Sequence, residues 1–527
     1  MKNPEIFVVM VLYMCVVIGI GFYFYKRSQK NAETYFLGGR SLGPWVAAMS
    51  AEASDMSGWL LMGLPGVAYW CGLADAFWTA VGLAIGTYIN WLIVAKRLRN
   101  YSQIAGNSIT IPDFFSNRFR EKKKILLGIS ALFILIFFTV YASSCFVTVG
   151  KLFNTLFGFD YHVTLIVGAI FVVAYTLIGG FLAESVSDFM QAIVMILALV
   201  VMIVVGFVNA GGVGAVIENA KNISGFLSLS EIATPIVDSN GAQLNAGGTP
   251  LFGAAGDYGF LKIVSMLAWG LGYFGVPQVL LRFMAIRKPS EIRRSRIIAT
   301  VWCVISLAAA VLIGIIGRSL LPVDEALNTA SGAESILIVM STEYLPLIVA
   351  GLIMAGILAA TISSSDSYLL IASSAVSVNL FKGIFKKEKA SEKQVMWLSR
   401  IVLVVIALVG VIIAWKEDSV IFTLVSFAWA GFGATFGPIM LFSLFWKRTT
   451  RTGAIAGMLA GSISVFVWKL VLNQFLSATI PFFGIYELLP AFIISGIAIV
   501  VGSLLTKKPD QQIMDEFENA KQGKVES

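Results

Sequence analysis

The sequence is poor in charged residues and has almost no histidine. Asp, Glu, Lys and Arg make up 13% of its 527 residues, whereas soluble chains carry about 25%. The single histidine, His162, is too few for a proton relay or a metal cluster. Four cysteines stand alone in apolar runs, which excludes a disulfide framework and a zinc site. They are Cys15, Cys71, Cys145 and Cys303.

Motifs of the common enzyme classes are also missing. The sequence has no Walker A loop, no H-E-x-x-H motif and no cysteine–histidine pair, so we do not expect an enzyme. A sensor would normally carry a sizeable signalling domain, and only a short polar tail follows the last apolar segment. A channel is the other alternative, and it would conduct solute far faster than a carrier turns over.

Apolar residues make up 58% of the sequence and occur in long runs. A run of about 20 apolar residues spans a bilayer as a helix, because its backbone groups must be satisfied within the segment. The short alternating segments of a transmembrane barrel are absent. We therefore predict an all-α integral membrane protein with about 13 transmembrane helices. The predicted spans are 5–25, 42–63, 67–95, 125–150, 163–183, 188–210, 260–281, 297–317, 345–376, 401–415, 420–445, 453–473 and 485–506.

Basic residues decide the predicted orientation. With the N-terminus outside, 31 of the 38 Lys and Arg residues fall in inner segments. Because basic residues are enriched in cytoplasmic connections, we predict a multi-pass plasma-membrane protein with an outer N-terminus and a cytoplasmic C-terminus. One transport domain, 1–506, is expected to precede a polar, partly disordered tail, 507–527. The outer loop 211–259 is rich in Gly, Asn and Ser, and its role stays open.

Two predicted spans are interrupted by residues that break helices. The second span contains SAEASDMSGWLLMG (50–63), in which Asp55 and Gly58 interrupt an apolar helix. The seventh contains AWGLGYFGVPQ (268–278), in which Pro277 removes a helix hydrogen bond. The two broken helices are five spans apart and run in opposite directions. Such a pair in two inverted halves indicates the mid-membrane binding site of a transporter.

The predicted halves are inverted repeats of five helices, 42–210 and 260–445. The helices 5–25, 453–473 and 485–506 are expected at the periphery.

The position of Asp55 favours a functional role over a structural one. An Asp in mid-span costs about 2.5–3.5 kcal/mol on insertion scales, so ionisable residues there are usually functional. The ninth span, AGILAATISSSDSYLLIASS (355–374), adds a cluster of hydroxyls beside Asp366. Oxygen ligands suit sodium, although small hydroxyl residues also let membrane helices pack closely. Alone, the ninth span favours packing, whereas together with the second span it favours an ion site.

Five longer motifs resemble those of one transporter family. They are YFLGGRSLGPW (35–45), SDMSGWLLMGLPG (54–66), YTLIGGFLAESVSD (175–188), WGLGYFG (269–275) and SFAWAGFGATFGP (426–438). On these motifs, nearly the whole chain resembles the solute:sodium symporter family, and most of all its sodium/proline symporters. The resemblance implies thirteen helices, an outer N-terminus and a core of inverted five-plus-five helices, the amino-acid/sodium symporter-type fold.

The resemblance also implies functional residues. Main-chain oxygens and hydroxyls would bind sodium between spans 2 and 9, at Ala53, Met56, Ala360, Ser363 and Ser364. Asp55 would supply negative charge beside that site, Asp188 would act in sodium release, and Arg40 would influence coupling. Substrate contacts would come from Ser57, Gly58, Tyr141, Trp269, Tyr273 and Pro277. No transition metal is implied, and sodium is the only ion expected.

These features predict a secondary active transporter that couples inward sodium movement to uptake of a small solute by alternating access. L-proline is the expected solute, because aromatic faces suit its ring and open helix ends suit its carboxylate. Another small amino acid, a pantothenate-like carboxylate or a sugar stays open. Four residues near the expected pocket depart from the proline-carrier pattern: Glu52, Val276, Gln278 and Asp366. The expected partners are the solute and the lipid bilayer, with no nucleic acid, and the sequence leaves the sodium stoichiometry and oligomeric state open.

Overall fold

The computed structural model describes residues 3–28, 32–387 and 389–523, and most of them are helical. Lys30, which contributes to the charge count, and the last four residues of the predicted tail, 524–527, lie outside this range. The first half contains nine α-helices. They are α1 (Pro4–Ser28), α2 (Ala32–Leu37), α3 (Pro44–Asp55), α4 (Leu64–Cys71), α5 (Leu73–Ile89), α6 (Ala95–Ile104), α7 (Ile111–Arg118), α8 (Ile125–Phe157) and α9 (Tyr161–Asn209).

The first broken span ends later than its sequence predicts. Residues 64–66, which the predicted spans leave as a connection, are helical and follow directly on the helical segment Trp59–Gly63. The turn into α5 is at Gly72 instead, with φ of 84°. A Cβ there would overlap the backbone of Phe226. The predicted boundary at 64–66 is therefore wrong, and the interrupted helix extends to Cys71.

A second predicted boundary, between the spans 163–183 and 188–210, also differs from the structure, because both spans belong to α9. The chain kinks at Gly180, which has φ of 64° and ψ of 176°, a conformation that favours glycine. Residues 184–187, predicted to connect two spans, are helical. Asp188 consequently lies well inside a helix, two turns beyond the kink, where its side chain is buried.

The loop predicted at 211–259 has secondary structure of its own. It contains α10 (Val213–Lys221) and four strands, β1 (Glu231–Ile232), β2 (Asn245–Ala246), β3 (Thr249–Pro250) and β4 (Gly256–Asp257). β1 pairs with β4 and β2 with β3, both antiparallel. The loop is tied to α5, because the indole of Trp78 donates to the Leu229 carbonyl at 2.9 Å.

The second half contains twelve further α-helices and a broken span. They are α11 (Phe260–Leu267), α12 (Pro277–Ala285), α13 (Ile292–Leu320), α14 (Ala330–Ala333), α15 (Ile336–Tyr344), α16 (Leu347–Ser374), α17 (Glu392–Ile413), α18 (Ile421–Phe445), α19 (Arg451–Val467), α20 (Asn473–Leu476), α21 (Leu488–Leu504) and α22 (Gln511–Gln522). A 3-10 segment, Ala268–Phe274, joins α11 to α12 across a bend of 42°.

The tail departs from its prediction as well. Residues expected to be partly disordered form α22, whose side chains Ile513, Phe517 and Ala520 are buried. Phe517 packs edge-on against Tyr101 of α6 at 6.3 Å between ring centroids. An apolar face that repeats every three or four residues explains the packing of this short, polar helix.

Among the described residues, nine helices are long and apolar enough to cross a bilayer, and the bent pair around α12 makes a tenth. Two further predicted spans, 163–183 and 485–506, overlap the shorter apolar helices Tyr161–Leu177 and Leu488–Leu504, and a third such helix, Trp59–Cys71, straddles the predicted boundary between the second and third spans. The number of thirteen spans stays a prediction. In the core, 83% of the apolar stretch of α18 and 78% of that of α16 are buried, against 22% in α1.

The two broken spans lie antiparallel at the centre of the bundle. Leu42, two residues before α3, exchanges backbone hydrogen bonds with the end of α12, donating to Ala285 at 3.1 Å and accepting from Arg287 at 3.0 Å. The start of one broken span therefore adjoins the end of the other, as expected for inverted halves. This arrangement brings the two helix breaks to a similar depth.

Candidate functional site

The first break frees backbone groups in the middle of the bundle. α3 ends at Asp55, Met56 has φ of −85° and ψ of 73°, and the helix resumes at Trp59. The carbonyl of Asp55 accepts hydrogen bonds from the Tyr141 hydroxyl at 3.1 Å and from the Trp59 indole at 3.3 Å. A Cβ at Gly58 would overlap the side chain of Thr148, so only glycine fits there.

The side chain of Asp55 points across to the second break. Its Oδ2 accepts a hydrogen bond from the Tyr273 hydroxyl at 2.7 Å. Its Oδ1 is buried and has no hydrogen-bond partner among the described residues. The carboxyl group is completely buried. A carboxyl group placed this way retains an oxygen that can bind a cation or a donor group.

The predicted sodium ligands come from two helices and most of them converge. The Ala53 carbonyl of α3 accepts hydrogen bonds from Ser363 at 2.9 Å and from Ser364 at 3.2 Å, both on α16. Ser363 also donates to the Ala360 carbonyl at 3.1 Å. Three hydrogen bonds therefore link oxygens of these four residues, and carbonyl and hydroxyl oxygens are ligands that a hard cation prefers. Met56 lies in the adjacent break, where its sulfur accepts from Ser306 at 3.8 Å.

Aromatic side chains surround the second break. Trp269 lies among four rings, with centroids 5.1 Å from Tyr486, 5.3 Å from Phe422, 6.0 Å from Trp59 and 6.1 Å from Trp429. Its carbonyl accepts from the Trp429 indole at 2.8 Å.

The other predicted substrate residues lie close by. Tyr141 stacks on Tyr368 at 4.2 Å, and Tyr273 packs edge-on to Trp429 at 5.1 Å. The Ser57 hydroxyl, in the first break, is buried without a partner among the described residues. Pro277 is the first residue of α12, directly after the second break. Tyr141 and Tyr273 therefore both donate hydrogen bonds to Asp55, and Trp269 packs against Trp429, which contacts Tyr273.

A buried charge cluster links the helices of this centre, and the sequence analysis does not predict its cation. Arg282 of α12 contacts Glu184 and, at 3.1 Å, Asp188, both on α9. Its Nε donates to Ser50 of α3 at 3.0 Å, and its Nη2 donates to Ser367 of α16 at 2.9 Å. One guanidinium group therefore links four helices.

The sequence prediction assigned Arg282 to an inner connection, which is wrong, because its side chain is completely buried. Glu184 was not predicted either. The only local signal is a basic residue five positions after Pro277, inside the apolar stretch PQVLLRFMA. An arginine buried in a membrane protein is expected to have acidic partners, but the sequence does not identify them.

Arg40 joins α12, α6 and the segment after α6. Its guanidinium group donates to the Met284 carbonyl at 2.7 Å, the Ser108 carbonyl at 2.7 Å and the Ser102 hydroxyl at 3.0 Å. Burial lowers the pKa of Arg40 to about 10, so the group stays charged at neutral pH. Its contacts fix the approach to α3 against the end of α12.

The four residues that depart from the proline-carrier pattern are all buried. Glu52, one turn before Asp55, is buried and its Oε2 has no partner among the described residues. Both polar side-chain atoms of Gln278 are likewise buried and unpartnered. Val276 is completely buried in the second break. Asp366 accepts a hydrogen bond from the Ser367 amide at 2.8 Å.

Comparison with known proteins places this arrangement among sodium-coupled carriers. The model of the "Sodium:solute symporter family" matches residues 35–461. A sodium/proline symporter of Staphylococcus aureus strain USA300 / TCH1516 is 40% identical over 513 residues, covering 96% of this chain and 94% of that protein. The sodium/proline symporter of strain JH9 matches over the same extent and at the same identity.

Two solved structures share the fold. A Na+-coupled sialic acid symporter, substrate-bound and outward-open, superposes with a TM-score of 0.76 at 20% identity, covering 96% of this chain and 99% of that one. A nucleobase-cation-symport-1 family transporter gives 0.53 at 12% identity, covering 93% and 100%. At these identities the likeness shows the fold alone. It confirms the predicted fold class, an all-α membrane protein with the symporter-type core.

Proposed function

The chain belongs to the sodium:solute symporter family, and we propose that it carries L-proline inward with sodium across the plasma membrane by alternating access. It is a transporter, not an enzyme, and sodium is its co-transported ion. The observation that carries the proposal is the contact between the two breaks, where Asp55 meets Tyr273 beside the oxygens at Ala53. Two relatives of 40% identity are named as sodium/proline symporters, which supports proline as the solute.

Sodium is proposed to bind between α3 and α16. Carbonyl oxygens of Ala53, Met56 and Ala360 and hydroxyls of Ser363 and Ser364 would replace its water ligands. Ala53 already lies within 3.2 Å of both hydroxyls, so little rearrangement is needed to surround an ion. Asp55 would lower the cost of placing a positive charge there. Asp188, bonded to Ser50 at 2.7 Å, would act on the inner path of sodium release.

Proline is proposed to bind at the breaks, next to the sodium. Tyr141, Trp269 and Tyr273 offer aromatic faces to its ring, and the amides around Ser57 and Gly58 face its carboxylate. Pro277 keeps the second break open. The Asp55–Tyr273 contact lets bound sodium order the solute pocket, so solute affinity rises when sodium is present.

The driving force comes from sodium entering the cell. Each sodium ion moving inward down a membrane potential of about 100 mV contributes about 2.3 kcal/mol before its concentration gradient is added. With sodium and solute bound, the two inverted halves would rock and open the site inward. This direction assumes the predicted orientation, with an outer N-terminus and a cytoplasmic C-terminus.

A second candidate cargo is another small amino acid. The unpartnered polar atoms of Glu52 and Gln278 favour it, because they leave hydrogen-bonding capacity beside the proposed pocket. A solute with more donors than proline could satisfy that capacity.

The test is uptake of labelled proline into proteoliposomes, with and without an inward sodium gradient. Wild type is compared with Asp55→Asn and with Asp418→Asn, a control whose surface side chain is 70% exposed. We expect sodium-dependent accumulation that collapses in Asp55→Asn and persists in Asp418→Asn. Sodium-driven uptake of another amino acid, but not of proline, would reject the cargo and keep the symporter. Uptake without any sodium dependence would reject the ion site.

A further inference from the structure

A groove of about 800 Å³ opens on the face that the basic residues assign to the cytoplasm. One wall is α6, the inner extension of the third span. The opposite wall is the end of α22, and the segment that follows α12 closes the groove between them. None of the residues proposed to bind sodium or solute lines this groove.

Among the described residues, five basic side chains and no acidic one line this groove: Lys96, Arg97, Arg99, Arg287 and Lys521. Arg287 pairs with Glu291 at 2.6 Å, and Lys521 approaches Glu518 at 3.9 Å. Lys96, Arg97 and Arg99 form no ion pair with any described residue. The groove therefore carries a surplus of positive charge inside a concave surface, which attracts anions.

Arg99 differs from an ordinary surface cation because it is buried. Its exposed fraction is 4%. Its Nε donates to the Ile286 carbonyl, and its Nη2 donates to the Arg287 carbonyl at 3.3 Å. Its Nη1 is buried with no partner in the described parts of the chain. A buried guanidinium nitrogen without an acceptor is costly, and a phosphate oxygen is the strongest acceptor it can receive.

The membrane side of the groove is apolar. Leu92 and Phe445 line it there, with exposed fractions of 45% and 40%. The continuous helix Leu73–Ile104 has 32 residues, about 48 Å at 1.5 Å per residue, against a hydrocarbon core of about 30 Å. Leu92 therefore lies near the membrane boundary, and Lys96 and Arg99 lie one and two turns farther into the headgroup layer.

We propose that this groove binds the headgroup of an anionic phospholipid of the inner leaflet. The phosphate contacts Lys96, Arg99 and Lys521, and an acyl chain lies along Leu92 and Phe445. A ligand with an anionic head and an apolar tail matches both ends of the groove, whereas free phosphate matches only the basic end. Basic pockets between membrane helices on the cytoplasmic side are known to take such headgroups.

The site has a structural consequence for the carrier. Arg99 holds the carbonyls that directly follow α12, and Leu42 pairs with the same segment at the start of α3. Arg99 therefore connects α6 to the segment where the two broken spans meet, and a lipid bound to Arg99 would act at this connection.

The test measures lipid binding to the purified full chain by native mass spectrometry. Phosphatidylglycerol, phosphatidylcholine and inorganic phosphate are titrated separately. Lys96→Gln combined with Lys521→Gln removes two exposed cations of the groove. Lys122→Gln combined with Lys123→Gln removes two exposed cations of the same face outside it. The lysine variants are used because Arg99 also holds backbone carbonyls, so replacing it could impair folding.

We expect phosphatidylglycerol to bind wild type and the Lys122/Lys123 control equally. Binding to the Lys96/Lys521 variant should weaken by about fivefold for each charge removed, the factor expected for a surface cation near anionic lipid. Equal binding by the two double variants would overturn the proposal. Saturation by phosphatidylcholine, or by millimolar inorganic phosphate without phosphatidylglycerol binding, would also overturn it.

Discussion

The hydroxyl of Tyr273 donates a hydrogen bond of 2.7 Å to Asp55, joining two helix breaks that lie 218 residues apart in the chain. Both side chains are buried. Asp55 is two residues from Ala53, whose carbonyl meets the hydroxyls of α16, and Tyr273 lies in the aromatic surroundings of the second break. One contact thus connects the proposed ion site to the proposed solute pocket. Any relative movement of the two broken spans must carry this contact along or break it.

Replacing Tyr273 with Phe should weaken sodium binding. The substitution removes the only hydrogen bond to the Asp55 side chain among the described residues. A hydrogen bond to a charged group contributes about 1.5–3 kcal/mol, so we expect the sodium concentration for half-maximal uptake to rise at least tenfold. The sodium dependence of initial uptake rates measures this change.

Tyr161→Phe is the matched control for that variant. Like the Tyr273 hydroxyl, the Tyr161 hydroxyl is buried and donates a hydrogen bond. Its acceptor is the backbone carbonyl of Ala414, at 2.8 Å, outside both breaks. Wild-type sodium dependence in Tyr273→Phe, or an equal loss in Tyr161→Phe, would contradict the role assigned to the Asp55–Tyr273 contact.

Substitutions of three neighbouring serines of α16 distinguish a role in sodium binding from a role in helix packing. Ser363 and Ser364 donate to Ala53 of α3, whereas Ser365 donates only within its own helix, to Thr361 and Ile362. We expect Ser363→Ala and Ser364→Ala each to raise the half-saturating sodium concentration about tenfold, since removing a ligand of this kind costs about 1–2 kcal/mol. Ser365→Ala should stay near wild type. Equal effects of all three substitutions would favour packing as their role.

Much of this centre follows from local sequence, and the reason is physical. Asp55 and the serines of α16 stand out because polar groups in long apolar runs are costly and seldom incidental. Arg282 is missed for a related reason. A basic residue near the end of an apolar stretch resembles the start of a connection between spans, so its burial is not predicted. Its acidic partners, Glu184 and Asp188, lie 98 and 94 residues earlier in the chain, and no local pattern links them.

Element ends were harder to predict than element types for a related reason. The turn at Gly72 and the kink at Gly180 depend on left-handed backbone angles in apolar surroundings, which hydropathy does not register. Helix α22 is stabilised by packing on Tyr101 and Arg118, not by its own composition. Tertiary contacts of this kind decide structure only after distant segments have come together.

Adding a methyl group at Gly270 should destabilise the carrier. A Cβ there would overlap the carbonyl oxygen of Gly82, so the 3-10 segment could no longer approach α5. Overpacking typically costs about 1–3 kcal/mol, and we expect a lower thermal unfolding temperature and less uptake for Gly270→Ala. Gly496→Ala is the control, because its nearest neighbour is a Phe442 ring carbon at 3.7 Å, an ordinary contact. Equal stability of the two variants would contradict this account.

Single cysteines should report the orientation of the chain. In a background without the four native cysteines, Ser239→Cys lies in the exposed outer loop and Gln511→Cys at the exposed start of α22. We expect a membrane-impermeant maleimide to label Ser239→Cys in intact cells, and Gln511→Cys only after permeabilisation. The reverse pattern would invert the orientation deduced from the basic residues, and with it the assigned direction of transport.

Removing Arg282 should be far more damaging than removing a surface arginine. Arg282→Gln leaves Glu184 and Asp188 buried without their cation, a change that typically costs about 3–5 kcal/mol. Arg287→Gln breaks an exposed pair with Glu291, which is worth about 0–1 kcal/mol. We expect a clear fall in thermal unfolding temperature for the first variant only. Adding Glu184→Gln to Arg282→Gln should recover part of the loss, because one uncompensated charge is then neutralised. If the double variant is no more stable than Arg282→Gln, the arginine is needed for its contacts with Ser50 and Ser367 and not for charge balance.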